Sequence, residues 1–274
     1  MSVDIALTAV LLSAAYLLFF GLERARRLRR AKAPLLPRLL VNIALSAITF
    51  GTAAALVQPA AGAMLGYTEG RALGLVPLLG LGSAGEIVVA FLLLDLTFYY
   101  WHVANHRFAF LWRFHNVHHI DPDLDVSTAF RFHFVEVGLS AGFRAAQVLI
   151  IGPSLVVYVA YDLVFQLATL FHHSNIRLPV SLERALNVLI VTPRMHGIHH
   201  SDIRQEDFSN WGVVFSWWDR LHRTLRLDVP QEEVTIGIPG YAKPDDNRVL
   251  RCLMLPFQAQ RDYWRGRLVR EQDV

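Results

Sequence analysis

Two copies of the pattern His-x-x-His-His are the most informative feature of this sequence. HNVHH occupies residues 115–119 and HGIHH occupies residues 196–200. Residues three and four positions apart lie on one face of an α-helix, so each motif presents three imidazoles together. Neutral imidazole is a preferred ligand of iron, zinc, copper and nickel, and the motifs therefore predict a metal centre. Its predicted ligands from the two motifs are His115, His118, His119, His196, His199 and His200.

A third cluster, WHVANH, places His102 and His106 four residues apart. Alone, such a pair is also typical of histidines at a helix end that face lipid headgroups. Together the three clusters supply eight histidines, whereas one transition ion takes about four to six ligands, so two ions are expected. Histidine ligation with open positions favours a redox metal that binds dioxygen. Iron is therefore preferred, and zinc is the alternative.

Two further segments add candidate ligands. In FHHSN, the adjacent His172 and His173 cannot lie on one helical stripe. Asp162 precedes His173 by eleven residues, almost a whole number of helical turns, which favours His173 as the ninth ligand and leaves His172 as a second choice. In FRFHFVE, His133 is another second choice, with Glu136 one turn further on.

Carboxylates within apolar segments are expected close to the metal centre, because their burial is costly without a partner. Asp95 precedes His102 by seven residues, and Asp162 shares the stripe of His173. Each is predicted to orient the imidazole on its own helical face by a hydrogen bond. Glu136 is predicted to support the site in the same way.

The histidines are carried by an unusually apolar chain. Of its 274 residues, 54% are hydrophobic and 18% are charged, and the mean hydropathy of +0.35 argues against an ordinary soluble domain. Residues 5–22 are predicted to span the membrane, as are residues 39–57 and 86–101. A hairpin over residues 135–171, broken at Gly-Pro, is predicted to span or to enter the bilayer, and the Gly-, Ala- and Pro-rich residues 58–85 are predicted to form a loop with short interfacial pieces.

The distribution of basic residues predicts the orientation in the membrane. Seven Lys or Arg residues lie from Arg24 to Arg38, directly after the first span. By the positive-inside rule this loop is cytosolic and the N-terminus is on the other side, so all histidine clusters reach the cytosolic face. Residues 172–274 contain no further run of spanning length. The predicted fold is an all-α integral membrane protein, with about four to five membrane-embedded helices and a cytosolic helical cap that holds a dimetal site.

Several other functions are disfavoured. The net charge of +3 comes with arginines crowded beside one span, which does not predict a nucleic-acid partner. GLGSAG at residues 80–85 follows no strand and predicts no dinucleotide cofactor. The single Cys252 excludes an internal disulfide and a cysteine-ligated metal site. A haem-binding or metal-transporting membrane protein would need histidines opposed in separate spans, or polar residues through the membrane.

Five ordered blocks within residues 95–224 resemble the fatty acid hydroxylase and sterol desaturase superfamily. They are DLTFYYWHVANH, LWRFHNVHHIDPDLDVSTAFRFHFVE, FHHSN, TPRMHGIHH and NWGVVFSWWDRLHRT. The resemblance implies an all-helical membrane fold, two non-haem irons, O2 as co-substrate, and a separate electron donor such as cytochrome b5 or ferredoxin with its reductase. Asn210, which opens the last block, is predicted to support the metal site.

The implied reaction is hydroxylation or desaturation of a C–H bond in a lipid such as a sterol, a fatty acyl chain or an ether lipid. The chain is predicted to comprise an N-terminal membrane region at residues 1–85, a catalytic domain at residues 86–230, and a C-terminal cytosolic tail at residues 231–274 that packs on the cap. The alternative function is a zinc-containing membrane enzyme of the same fold with non-redox chemistry.

Overall fold

The computed structural model describes residues 5–269. Over this range the chain forms helices and connecting loops, with isolated β-bridges but no β-strand. Five helical segments are long and apolar enough to cross a membrane. The prediction of an all-α integral membrane protein with about four to five embedded helices is confirmed.

The membrane region contains long helices and the short helix α4, and the helical segment that begins with α2 is longer than predicted. Their bounds are α1 Ile5–Ala25, α2 Leu35–Thr52, α3 Gln58–Glu69, α4 Leu75–Leu78, α5 Ser83–Arg107, α7 Phe134–Ile151 and α8 Leu155–His173. A π-helical turn at Ala53–Val57 joins α2 to α3, so that one helical segment runs over Leu35–Glu69. The prediction of a loop from residue 58 is therefore wrong for residues 58–69.

The π-helical turn explains why the chain stays helical through residues 58–69. Pro59 has no backbone N–H, and proline ordinarily interrupts a helix. In the structure Pro59 lies in the first turn of α3, directly after the widened turn, where the regular hydrogen-bond pattern is already displaced. The helix can therefore continue past the proline.

The predicted hairpin is observed as α7 and α8, and its turn depends on one glycine. Gly152 ends α7 with φ of 67°, in the left-handed region, and the hydroxyl of Ser154 then accepts a hydrogen bond from Val157 N to begin α8. A Cβ atom at residue 152 would collide with the carbonyl oxygen of Leu73. The position therefore requires glycine for both its backbone conformation and its contact.

Replacing Gly152 with alanine is expected to destabilise the protein by about 2 kcal/mol or more, because left-handed strain adds to a backbone collision. The measurement is the thermal unfolding midpoint of the detergent-purified protein. Gly142→Ala is the matched control, since Gly142 lies within the same helix and a Cβ there would meet nothing within 4 Å. Equal midpoints for the two variants would contradict the assigned role of Gly152.

The remaining helices form a cap on one end of the membrane helices. Their bounds are α6 Ala109–His119, α9 Val180–Asn187, α10 Pro193–His199, α11 Arg204–Asp207, α12 Trp217–His222 and α13 Val249–Met254, with 3₁₀ turns at Val126–Thr128, Pro239–Tyr241, Pro244–Asn247 and Leu255–Phe257. Cys252, Leu255 and Trp264 share a buried cluster with Trp112 and Val117 of α6. The C-terminal part of the described chain thus packs against the helix that carries the first His-x-x-His-His motif.

The basic loop between α1 and α2 also has a structural role. Arg38, which is buried at the start of α2 where this loop ends, forms an ion pair with Asp121 at 2.9 Å. Nη1 of Arg29 donates to Gln231 Oε1 at 2.7 Å and to the carbonyl oxygen of Pro193 at 3.3 Å, at the start of α10. The loop therefore holds the helix that carries the second histidine motif.

Candidate metal centre

Four helix ends converge in the cap and bring the histidine clusters together. α5 contributes the WHVANH pair, α6 and α10 contribute the two His-x-x-His-His motifs, and α8 contributes its last residue. All nine histidines predicted as primary ligands lie in this cluster, and eight of them are buried. The nine are His102, His106, His115, His118, His119, His173, His196, His199 and His200.

The cluster contains two groups of four, which we call site A and site B, and a third group, His119, His199 and His200, that overlaps both. Site A comprises His102, His106, His115 and His119, and site B comprises His118, His173, His196 and His200. Within each group the candidate ligand nitrogens all lie within 4.8 Å of one another. The ring of His199 lies 4.6 Å from that of His102 in site A and 5.4 Å from that of His200 in site B. Two ion positions side by side therefore fit the donor set.

Hydrogen bonds on the outer side of the rings fix which nitrogen faces inward. Nδ1 of His102 lies 2.9 Å from the carbonyl oxygen of Trp211, and Nδ1 of His199 lies 2.8 Å from that of Ser209. Nδ1 of His173 lies 2.8 Å from the carbonyl oxygen of Thr169 in the same way. Because a carbonyl oxygen only accepts, these three Nδ1 atoms carry the proton, and each Nε2 presents a lone pair to the cluster.

The arrangement in site B is difficult to satisfy without a cation. Nε2 of His173 lies 3.0 Å from Nε2 of His118 and 3.0 Å from Nε2 of His196. Since Nε2 of His173 has a single lone pair, it cannot accept a hydrogen bond from both neighbours. A metal ion bound by all of these nitrogens would remove the conflict, and the residues therefore fit a metal.

The electrostatic environment also favours ligation. Burial lowers the pKa of His199 to about 3, and it lowers the pKa of His118 and His200 well below the ordinary histidine value. These rings are therefore neutral near pH 7, which is the form that binds metals. In site A, the Nε2 atoms of His106 and His115 are buried without a hydrogen-bond partner. Burial of a polar atom without a hydrogen-bond partner is costly, and a cation bound by these nitrogens would remove that cost.

Two carboxylates support site A. Glu136, one of the predicted supporting residues, lies 2.8 Å from Nδ1 of His115 through Oε1. Asp207, which the sequence analysis did not identify, places Oδ2 3.1 Å from Nδ1 of His106 and Oδ1 3.1 Å from Nδ1 of His119. Asp207 is fully buried at the end of α11. Nothing in the spacing of the chain distinguishes it from other acidic residues of the cap.

The predicted roles of Asp95 and Asp162 are wrong. The carboxylate of Asp95 accepts hydrogen bonds from Phe215 N at 3.1 Å and Trp218 Nε1 at 2.8 Å, and it joins α5 to the cap rather than to a histidine. Asp162 pairs with Arg144 of α7 at 2.7 Å. Seven and eleven residues along a helix correspond to about 10 Å and about 16 Å, which a carboxylate cannot span, although both positions share a face with a histidine.

Three other predicted residues lie around the site without entering either group. His133 is not a ligand, since its Nδ1 accepts from Val135 N and its Nε2 lies 3.1 Å from the carbonyl oxygen of Leu253. His172 belongs to no ligand group of the described chain, although its ring lies 4.2 Å from that of His196. Asn210 contacts no histidine side chain but anchors the loop whose flanking carbonyl oxygens bind His102 and His199.

A cavity of about 230 Å³ adjoins both sites. His102, His115 and His173 lie at one end of it, and its walls contain aromatic side chains of α2, α5 and α8 and of the segment between the 3₁₀ turn and α7. Its volume is smaller than that of pockets which enclose a whole drug-sized ligand, so it can hold part of a long apolar molecule. Residues of the π-helical turn, Ala53 and Val57, also line it.

Comparison with known proteins agrees with this geometry. A family model described as fatty acid hydroxylase matches residues 87–224, about half of the chain. The chain is 28% identical to ornithine lipid hydroxylase OlsE of Rhizobium tropici, over 57% of this chain and 46% of the relative. It is 30% identical to human alkylglycerol monooxygenase, over 54% of this chain and 32% of the relative. It is 28% identical to human cholesterol 25-hydroxylase, over 52% of this chain and 51% of the relative. The chain thus spans about half the length of these relatives or less, and no solved structure matches it.

Proposed function

Because the chain belongs to the fatty acid hydroxylase family, we propose that it is a membrane di-iron enzyme that hydroxylates a C–H bond of a lipid. The observation that carries the proposal is the pair of adjacent four-histidine groups at the end of an apolar cavity. The relatives named above are hydroxylases or monooxygenases of lipids, which favours hydroxylation over desaturation. A sterol, a fatty acyl chain and an ether lipid all remain within this class.

The proposed roles of the protein residues follow from their contacts. The nine histidines hold two non-haem irons, which when bound supply activation of O2. Glu136 and Asp207 hold the Nδ1 protons of their histidines in place, so that each Nε2 is directed at the metal position. Aromatic walls exclude water from the cavity and place the hydrocarbon beside the sites.

Hydroxylation also requires a reductant. Conversion of O2 and a C–H bond to an alcohol and water consumes two electrons and two protons from outside the substrate. We propose that a separate donor, such as cytochrome b5 or ferredoxin with its reductase, supplies the electrons at the cap. The cap is proposed to lie on the cytosolic side, because the arginine-rich loop that follows α1 packs against it.

The decisive test is the metal content of the detergent-purified protein after expression with added iron, by elemental analysis and Mössbauer spectroscopy. About two irons per chain are expected, from four-histidine groups that each fit one ion. Lipid extracts incubated with isotopically labelled O2 and a reductant should then contain alcohols that carry the label. Two zinc ions that persist despite added iron would instead support the non-redox alternative.

A further inference from the structure

A buried ion pair lies in the wall of the cavity, away from the histidines. Arg144 of α7 and Asp162 of α8 are 2.7 Å apart, and Gln166 donates to the second carboxylate oxygen of Asp162 at 2.7 Å. All three line the cavity, and we call them the polar triad. Arg144 is 9% exposed at its side chain and lies against the rings of Phe98 and Phe165. The proposed metal centre and its supporting carboxylates do not include these three residues.

The distance of the polar triad from the metal sites follows from helix geometry. Glu136, which contacts His115, precedes Arg144 by eight residues on α7, or about 12 Å. Asp162 precedes His173 by eleven residues on α8, or about 16 Å. Measured along the helix axes, the backbones of Arg144 and Asp162 thus lie about 12 Å and about 16 Å from those of Glu136 and His173, in the middle of two membrane helices.

The polar triad is expected to contribute little to the free energy of unfolding. A buried ion pair contributes little net stability, because the desolvation cost offsets the attraction, and such groups in membrane helices commonly mark functional sites. Asp95, by contrast, uses its carboxylate oxygens on backbone and side-chain donors of the cap. Arg144 also lies beside Tyr158, and its Nη1 is a buried donor for which no hydrogen-bond acceptor lies in range among the described residues.

The charge of the polar triad limits the ligand it can bind. Arg144 and Asp162 together are neutral, so a carboxylate or phosphate would add an uncompensated charge at low dielectric. A hydroxyl or carbonyl oxygen can accept from the guanidinium without adding charge. We propose that the polar triad binds the hydroxyl or carbonyl group of a neutral lipid and thereby places a more distant part of the same molecule beside the metal sites, which line the same cavity.

This inference deepens the proposed function and rests on it, but its test does not need turnover. The measurement is binding of radiolabelled cetyl alcohol to the detergent-purified full chain, in competition with unlabelled cetyl alcohol, hexadecane and palmitate. Cetyl alcohol is expected to compete about tenfold or more better than hexadecane, as one hydrogen bond to a charged donor implies. Equal competition by hexadecane, or stronger competition by palmitate, would overturn the proposal.

The double variant Arg144→Met/Asp162→Leu tests the residues themselves. Replacement of both partners by apolar side chains should preserve folding, and the preference for the alcohol over hexadecane should disappear. Gln147→Leu is the matched control, because Gln147 is a buried polar residue of the same helix that bonds to Leu94 O and Thr97 Oγ1 and does not line the cavity. The control should keep the preference, and a double variant that keeps it would overturn the proposal.

If the double variant does not fold, Arg144→Lys is the second test, since lysine keeps the charge but lacks the planar fork in which one nitrogen holds Asp162 while the other faces the ligand. This variant should reduce the preference for the alcohol over hexadecane, and an unchanged preference would again overturn the proposal.

The di-iron proposal and the polar-triad proposal can fail separately. Selective binding without iron would remove the di-iron function alone, whereas iron and lipid hydroxylation without selective binding would remove only the role of the polar triad.

Discussion

Replacing His173 with alanine is expected to lower the bound metal from about two ions per chain to about one, and to reduce turnover about a hundredfold or more. His173 is the only residue of α8 in site B, and its Nε2 approaches the Nε2 atoms of His118 and His196 at 3.0 Å each. Loss of this nitrogen leaves three histidines for that ion, whereas site A keeps all four of its own. The measurements are elemental analysis and product formation on the same preparation.

His115→Ala is the reciprocal experiment, because His115 belongs to site A alone. It too should leave about one ion per chain and little turnover. His118→Ala should behave like His173→Ala, and His199→Ala, next to both sites, should also lose metal and activity. His222→Ala is the control, since His222 contacts Tyr100 outside both groups and should keep the full metal content. Full metal content and turnover in His173→Ala would remove His173 from the centre.

Replacing Asp207 with asparagine is expected to weaken metal binding at site A about 10- to 100-fold, although Asp207 is not proposed as a ligand. The carboxylate approaches Nδ1 of both His106 and His119 at 3.1 Å. An amide has one oxygen, and its NH2 group would face the Nδ1–H of one of these rings. Burial raises the pKa of Asp207 well above its usual range, so a nearby cation is what favours its ionised form.

The measurement is metal retention during dialysis against increasing chelator concentration. Asp202→Asn is the matched control on the same loop, because Asp202 pairs with the half-exposed Arg267 and makes no histidine contact. The control should lose metal like the wild-type protein, since exposed ion pairs contribute little. If Asp207→Asn retains both ions as the wild type does, Asp207 has no role in orienting His106 and His119.

The local elements of the site were predictable from the sequence because they depend on helix geometry alone. Spacings of three and four residues put the imidazoles of each motif on one face, and apolar runs of spanning length predicted the membrane helices. The hairpin was predicted from Gly152 and the following proline, which end a helix by their backbone properties. The eight histidines chosen on this basis lie in one cluster, together with His173, which was chosen by its eleven-residue spacing from Asp162.

Predictions that used the same periodicity over many turns to place two side chains in contact were wrong. Asp95 and Asp162 share a helical face with His102 and His173, but the rise along the helix separates each pair by more than a side chain can reach. Their partners come instead from the cap and from α7. The helix over residues 58–69 was missed because a π-helical turn accommodates Pro59.

The sequence by itself determined which histidines could bind metal, that they lie on helices, and that those helices belong to a membrane protein. Only the tertiary structure decided how the nine histidines divide between two sites and that Asp207 supports one of them. It also decided that Arg144 and Asp162 face one cavity. The physical reason is that helix periodicity is a local property, whereas these contacts join residues that only the packing of separate helices brings together.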